Sequence, residues 1–418
     1  MPTSTTWSRK MAADLHATPF RGERLRDLAE MEGLSMRDLA AALGTTQNRI
    51  SKIVNAKSRL TPDIIEAATT TYGVPAVFFS VVPAQQDQAA ITFRKRASSS
   101  IRADKRITRL FREAARLWRT ASESSGFRTV DMSGLRELVR DNRVEDVAVA
   151  LRKEDGLGSE DPIPNMVRFT ERRGVGVILG LDPLLSQRLT DEYNELGDKD
   201  YSGVSSPSRF EDRPLVTTVA PQPGAVTRMT IGHELGHIIF DPDLQVSPRA
   251  REIEEKRAYS FASALLLPES MMRRRVYEDM TLNSYLRIKA DYGASVSAIV
   301  MRAQRLGVIS SRRARSLHIQ ISSRGWRDNE PVPVSDEHPT LLYQATQRAW
   351  PVNTIRAAAE DVGVKHSLIS AWTETKQPAV TAVRETNTNV VSLTERLASR
   401  RCESPSRSVS ACSSGRML

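Results

Sequence analysis

Cysteine is almost missing from this sequence. Among 418 residues there are two, Cys402 and Cys412, both in a Ser/Arg-rich stretch near the C-terminus. This excludes a disulfide framework and a cysteine-based zinc knuckle, which needs three or four ligands close together. Long hydrophobic runs are missing as well, so no window offers the roughly 20 apolar residues of a membrane-spanning helix. The first residues, MPTSTTWSRKMAADLHATPF, lack the charged-then-apolar pattern of a secretory signal. A cytoplasmic protein with no membrane partner is expected. Histidine is scarce too, six in all, yet two of them stand four residues apart in the stretch Thr230–Phe240, TIGHELGHIIF.

What is present is a chain that mostly folds, with 40% apolar and 26% charged residues, and that is long enough for two or three domains. The formal charge of +10 points to nucleic acid as a partner. Part of that excess sits near the C-terminus, in Arg396, Arg400, Arg401, Arg407 and Arg416. Residues 1–20 read as flexible. Residues 21–80 have a helical pattern broken at Gly33, Gly44, Pro62 and Gly73-Val74-Pro75, which spaces five short helices. Residues 81–100 read as a basic linker ending in the knot Phe93-Arg94-Lys95-Arg96, either a phosphate contact or a solvated face. Residues 101–325 are helical apart from two β-branched runs of strand length, 174–180 and 214–220. The polar stretch 198–208 reads as a loop. A small helical segment spans 331–380, and 381–418 has the composition of a disordered tail.

In Ser35–Val54 (SMRDLAAALGTTQNRISKIV), Leu39, Ala40 and Leu43 share one face, Gly44 supplies a turn, and Ile50 and Ile53 anchor a second helix. Thr46, Gln47, Asn48, Arg49 and Lys52 are left outside. Amides and Arg suit base edges, and hydroxyls and Lys suit phosphates. The alternative is a helical bundle that binds protein. The stretch resembles the XRE/Cro-type helix-turn-helix family through Leu25-Arg26, Gly33-Leu34-Ser35, Leu39-Ala40, Leu43-Gly44, Ile50-Ser51-Lys52-Ile53 and Tyr72-Gly73-Val74-Pro75 with Phe78-Phe79. It departs at Met36, where the family often has Gln, and at Val54-Asn55-Ala56, where it often has Glu-Asn-Gly.

Residues i and i+4 of a helix face the same way, so His233 and His237 can point imidazoles at one ion while Glu234 reaches a water on it. A catalytic zinc wants three protein ligands and one open position. The other histidines, His16, His318, His338 and His366, lie far off in sequence. The acidic candidates are Glu252, Glu254 and Glu255, just before the apolar helix Ala258–Leu267; Glu255 stands first among them and Glu254 is the fallback. Tyr259, one turn from Glu255, would serve as an oxyanion donor or as core.

Arg228-Met229-Thr230-Ile231-Gly232-His233-Glu234-Leu235-Gly236-His237, followed by Phe261-Ala262-Ser263-Ala264-Leu265-Leu266-Leu267-Pro268, resembles the ImmA/IrrE metallo-endopeptidase family. The resemblance implies a zincin-like domain of gluzincin type, with Zn2+ on His233, His237 and Glu255 and with Glu234 as general base. It places Glu255 six positions before the Phe-Ala pair. Arg257 stands where the family often has Glu or Gln. Residues 91–97, 295–308 and 319–331 are similar to members that fuse an XRE reader to this domain, as in regulators of phages and mobile elements and a radiation-response factor.

The implied fold is mainly α with a small β-sheet: an N-terminal five-helix reader, a central α+β zincin-like domain and a helical C-terminal region. The implied function is a transcriptional regulator of a stress or prophage response that binds operator DNA as a homodimer and cleaves a protein substrate such as a repressor. The rival readings are a non-proteolytic regulator whose zinc fold senses a ligand or stress, and a protease recruited to a repressor by protein contact. One internal echo remains. Residues 358–370 repeat the shape of Leu39–Ser51, with Gly363 where Gly44 falls. They form either a degenerate second helix-turn-helix or, better suited to a face poor in Arg and Gln, a two-helix packing unit.

Overall fold

The computed structural model describes residues 20–84, 91–95, 101–188, 201–208, 211–242 and 248–374. The ends expected to be flexible, both cysteines, Arg96 and residues 85–90 of the linker lie outside the described residues. Among those described, no helix is long and apolar enough to cross a membrane.

Helices α1 (Arg24–Glu32), α2 (Met36–Ala42), α3 (Gln47–Val54) and α4 (Pro62–Tyr72) are followed by a 3-10 turn at Ala76–Ser80. This is the five-helix pattern with its last member tightened. Local chemistry sets the boundaries. Ser35 opens α2 with a reciprocal capping box to Asp38. Thr46 opens α3 by accepting from the Arg49 amide at 3.3 Å. Gly33 and Gly44 turn the chain at φ 68° and 63°, a region that favours glycine. Leu25, Leu28, Leu39, Ile50 and Phe78 are fully buried, each contributing on the order of 1.5–3 kcal/mol.

Helix α5 (Ile101–Ser124) is the spine. Ile107, Leu110, Phe111, Ala114, Leu117, Trp118 and Ala121 recur at helical spacing and are all buried. They join the same apolar core as the reader. On the far side Trp118 lies under Gly176, where a Cβ would stand 2.8 Å from Trp118 Cδ2.

The sheet has four strands in the order β1-β3-β4-β2: β1 (Thr92–Lys95), β2 (Gly176–Ile178), β3 (Tyr201–Ser205) and β4 (Leu215–Thr218). β3 pairs antiparallel with both β1 and β4, and β2 pairs parallel with β4. β2 and β4 lie within the two β-branched runs. β1 and β3 correct the reading of their segments as linker and loop. Their short, largely polar sequences, TFRK and YSGVS, carry little strand signal, and long-range pairing makes them strands.

The central domain adds α6 (Arg136–Arg140), α7 (Val144–Glu154), α8 (Met166–Glu171), α9 (Pro183–Arg188), α10 (Gly224–Phe240), α11 (Pro248–Leu266), α12 (Glu269–Arg275), α13 (Tyr285–Tyr292), α14 (Val296–Arg305) and α15 (Ser311–Ser323). A second apolar core gathers α7, α8, α10, α11 and the helices that follow. The chain then returns through α16 (Leu341–Ala349), α17 (Thr354–Val362) and α18 (His366–Thr373) to the first core, where Ala358, Ile369 and Trp372 are buried. Gly363 does repeat the left-handed turn of Gly44, at φ 70°. Its place is a tight contact, since a Cβ there would fall 3.1 Å from the Phe78 backbone.

Buried charge fastens the reader to the spine. Arg24 of α1 donates to Glu113 of α5 at 2.9 Å and to the Phe78 carbonyl at 3.0 Å. Burial works against the Glu113 charge, but Arg116, Arg24 and Arg109 outweigh it and hold the carboxyl down at about 2. A depressed carboxyl stabilises the fold above its ordinary pKa of 4.5, and that contribution is lost as pH falls towards 2. Glu113→Gln should therefore lose on the order of 3 kcal/mol at neutral pH in denaturant unfolding. It should also show a flatter stability profile than the native chain between pH 4.5 and 2.

Candidate metal centre and nucleic-acid interface

The central site is made by two helices that cross at close range. A Cβ on Gly236 of α10 would stand 3.0 Å from Ala258 Cα of α11, and one on Gly232 would stand 3.2 Å from Ala262 Cβ. Two small-on-small contacts one turn apart let the backbones approach. With Ile231, Leu235 and Ile239 buried behind, His233 and His237 look across at α11, and Glu255 meets them. Their donor atoms lie within 4.8 Å of one another. His233 Nε2 is 3.1 Å from His237 Nε2 and 3.2 Å from Glu255 Oε2, and His237 Nε2 is 3.6 Å from Glu255 Oε1. Ligands at zinc–nitrogen distance in tetrahedral array stand about 3.3 Å apart, so the donor set fits that ion in chemistry and in spacing. Glu255, rather than Glu254, completes the cluster.

The groups behind the donors were not foreseen. Asp241, wholly buried at the end of α10, holds His237 Nδ1 at 2.7 Å and is itself paired with Arg257. That bond leaves His237 Nε2 facing the cluster. Asp241 lies four residues past His237, the same helical spacing that singled out the histidine pair, so the signal was available. Arg257, noted only as a departure from the family pattern, has a definite partner. Burial resists charging His237, yet Asp241, Glu255 and Glu234 raise it to about 10. Glu255 is buried too, and the two histidines hold it far below the usual carboxylate range. The pocket is built to hold positive charge among these donors.

Glu234 is 1% exposed and lies under β3. Ser205 Oγ donates to its Oε2 at 2.6 Å, and a Cβ on Gly203 would fall 2.5 Å from its Oε1. Both contacts come from the stretch read as a loop. Tyr259 has another partner, its hydroxyl lying 3.6 Å from Met301 Sδ and its ring beneath Arg305.

In the N-terminal helices, Thr46 at the N-cap of α3 and Gln47, Asn48, Arg49 and Lys52 along it are all exposed. Arg49 reaches Thr61 Oγ1 and Asp63 Oδ2, each at 3.0 Å. Both partners are solvent-exposed and screened by water, so the guanidinium is available to a stronger partner.

Two variants separate the donors from their support. Glu255→Gln should abolish tight zinc uptake, and Asp241→Ala should weaken it roughly 10- to 100-fold with the donors intact. Competition against a chromogenic chelator reads both.

Two domain models match the chain. Residues 22–77 match that of a helix-turn-helix domain and residues 194–304 that of the IrrE N-terminal-like domain of the M78 peptidases. No curated protein matches it. The second match spans β3, β4, both histidines, Glu255 and the crossing of α10 with α11. The chain thus joins a helix-turn-helix-like reader to an IrrE-like, peptidase-type domain with a candidate His/His/Glu metal centre.

Proposed function

We propose that this protein is a DNA-binding transcriptional regulator whose central domain is a zinc-dependent endopeptidase acting on a protein substrate, a repressor of a stress or prophage response being the reading that joins the two halves. The observation that carries it is the meeting of His233, His237 and Glu255 beside a buried glutamate on the same helix. In this reading those three hold zinc, which supplies Lewis acidity at a peptide carbonyl. Glu234 accepts a proton from water and returns it to the leaving amine. Ser205 fixes the Glu234 carboxylate, and Asp241 fixes His237. Thr46, Gln47, Asn48, Arg49 and Lys52 contact operator DNA, bases through the amides and Arg49 and phosphates through Thr46 and Lys52. A homodimer on a two-fold operator follows from the small footprint of one recognition helix.

A second reading is a regulator whose zinc fold senses rather than cuts. It is favoured by the packing of Glu234, bonded to Ser205 and pressed against Gly203, which makes the resting site tight around its base.

Glu234→Gln decides between them. Mapping of new protein N-termini in stressed cells should show a cleavage made by the native chain and missing with Glu234→Gln, while zinc content and DNA binding persist. Identical maps would favour the sensor.

A further inference from the structure

The positive charge of this chain is not concentrated where its reader is. Residues 21–80 hold 8 basic and 7 acidic side chains, whereas residues 269–327 hold 12 basic and 4 acidic ones; of those basic groups Arg274, Lys289 and Arg302 are answered by Glu160, Glu330 and Glu145 from outside the span. Neutralising phosphates supplies most non-specific DNA affinity. On α3 that task falls to Lys52 and the Thr46 hydroxyl alone, Arg49 being assigned to base edges.

The fold gathers part of the second excess around one depression. A groove of about 490 Å3 lies beside the end of α12 and the start of α13, lined by Arg275, Arg287, Tyr277, Met280 and Asn283 among others. Arg324, beyond α15, donates to Asn283 Oδ1 at 2.7 Å, and Arg313 of α15 donates to the Met280 carbonyl at 2.7 Å. Four guanidiniums from separate elements therefore border one surface. Asp291 answers Arg275 at 2.6 Å, and Glu278 is bonded to the Ser310 amide and hydroxyl. Asp279 is a further exposed carboxylate on the same turn. Among the described residues neither Arg287 nor Arg324 has a carboxylate in ion-pair range, and both are exposed. Exposed Arg312 and Arg315 extend the surface along α15. Tyr277, 60% exposed, stands at the rim.

We infer that this groove is a phosphate-binding surface for the backbone of duplex DNA, acting in addition to α3. The inference rests on the DNA-binding reading of the helix-turn-helix. Arginine's planar fork matches phosphate oxygens, and Arg324 is already oriented by Asn283. The groove adds affinity without sequence preference; α3 supplies the preference.

The test is the salt dependence of full-length protein binding to a random-sequence DNA duplex, followed by fluorescence anisotropy. Arg287→Glu with Arg324→Glu should weaken binding and flatten the slope of log K against log salt by about 0.9 per lost phosphate contact. Arg287→Lys with Arg324→Lys should keep most of the slope, which guards against a folding defect. An unaltered slope in the glutamate pair overturns the groove alone. A native chain that binds no duplex overturns the groove and the DNA-binding reading together. Preference for single-stranded RNA over duplex, lost in the glutamate pair, overturns the assignment to DNA.

Discussion

The central domain depends on one close helix crossing. Gly232 and Gly236 give α10 a surface without side chains, and Ala262 and Ala258 of α11 fill it. Helix axes commonly lie 8–10 Å apart, and small residues at the contact favour the lower end. The short spacing lets a glutamate on one helix touch two histidines on the other, since a carboxylate side chain reaches only a few ångströms. Larger residues at the two glycines would press on α11 and carry Glu255 away from the histidines, with each helix otherwise intact. The apolar faces of both helices lie in the same core, so packing and metal geometry are set by the same contacts.

At this crossing and elsewhere in the fold, buried charges are shared rather than isolated. His237 leans on Asp241, and Asp241 on Arg257. Glu113 answers Arg24, Arg109 and Arg116. Arg228 of α10 meets Glu337, whose other oxygen accepts from the Val167 amide. Removing one partner from such a set strands the rest in a medium that cannot solvate them. The Glu113 group matters for function because it ties the reader to α5, and α5 lies against β2 through Trp118. The C-terminal helices add a second tie, with Lys365 paired to Glu32 at 2.9 Å and Gly363 against Phe78. The reader therefore shares its core with the helix that supports the sheet.

Much of this was legible in the sequence, for identifiable reasons. The reader announced itself through local signals: Gly33 and Gly44 as turns, and apolar residues at helical spacing. The histidine pair followed from the four-residue period. Glu255 did not follow from spacing alone, since three glutamates compete within four positions, and the family resemblance singled it out. Asp241 obeys the same four-residue period as the histidines, but an acidic residue at a helix end has many ordinary roles, so the spacing alone does not mark it. Ser205 and Gly203 were out of reach: they act on Glu234 only because a polar segment is recruited as a strand by β1 and β4, and pairing over such distances leaves little local trace. The echo at Gly363 was visible as a pattern, but its docking on Phe78 is tertiary.

The most direct test of the account is zinc X-ray absorption on the purified full-length chain loaded with one equivalent of metal. The expected spectrum shows two imidazole nitrogens and a carboxylate oxygen in the zinc shell, with one imidazole contribution lost in His233→Ala. A shell without histidine, or one unchanged by His233→Ala, would contradict the assignment of this helix crossing as the metal centre.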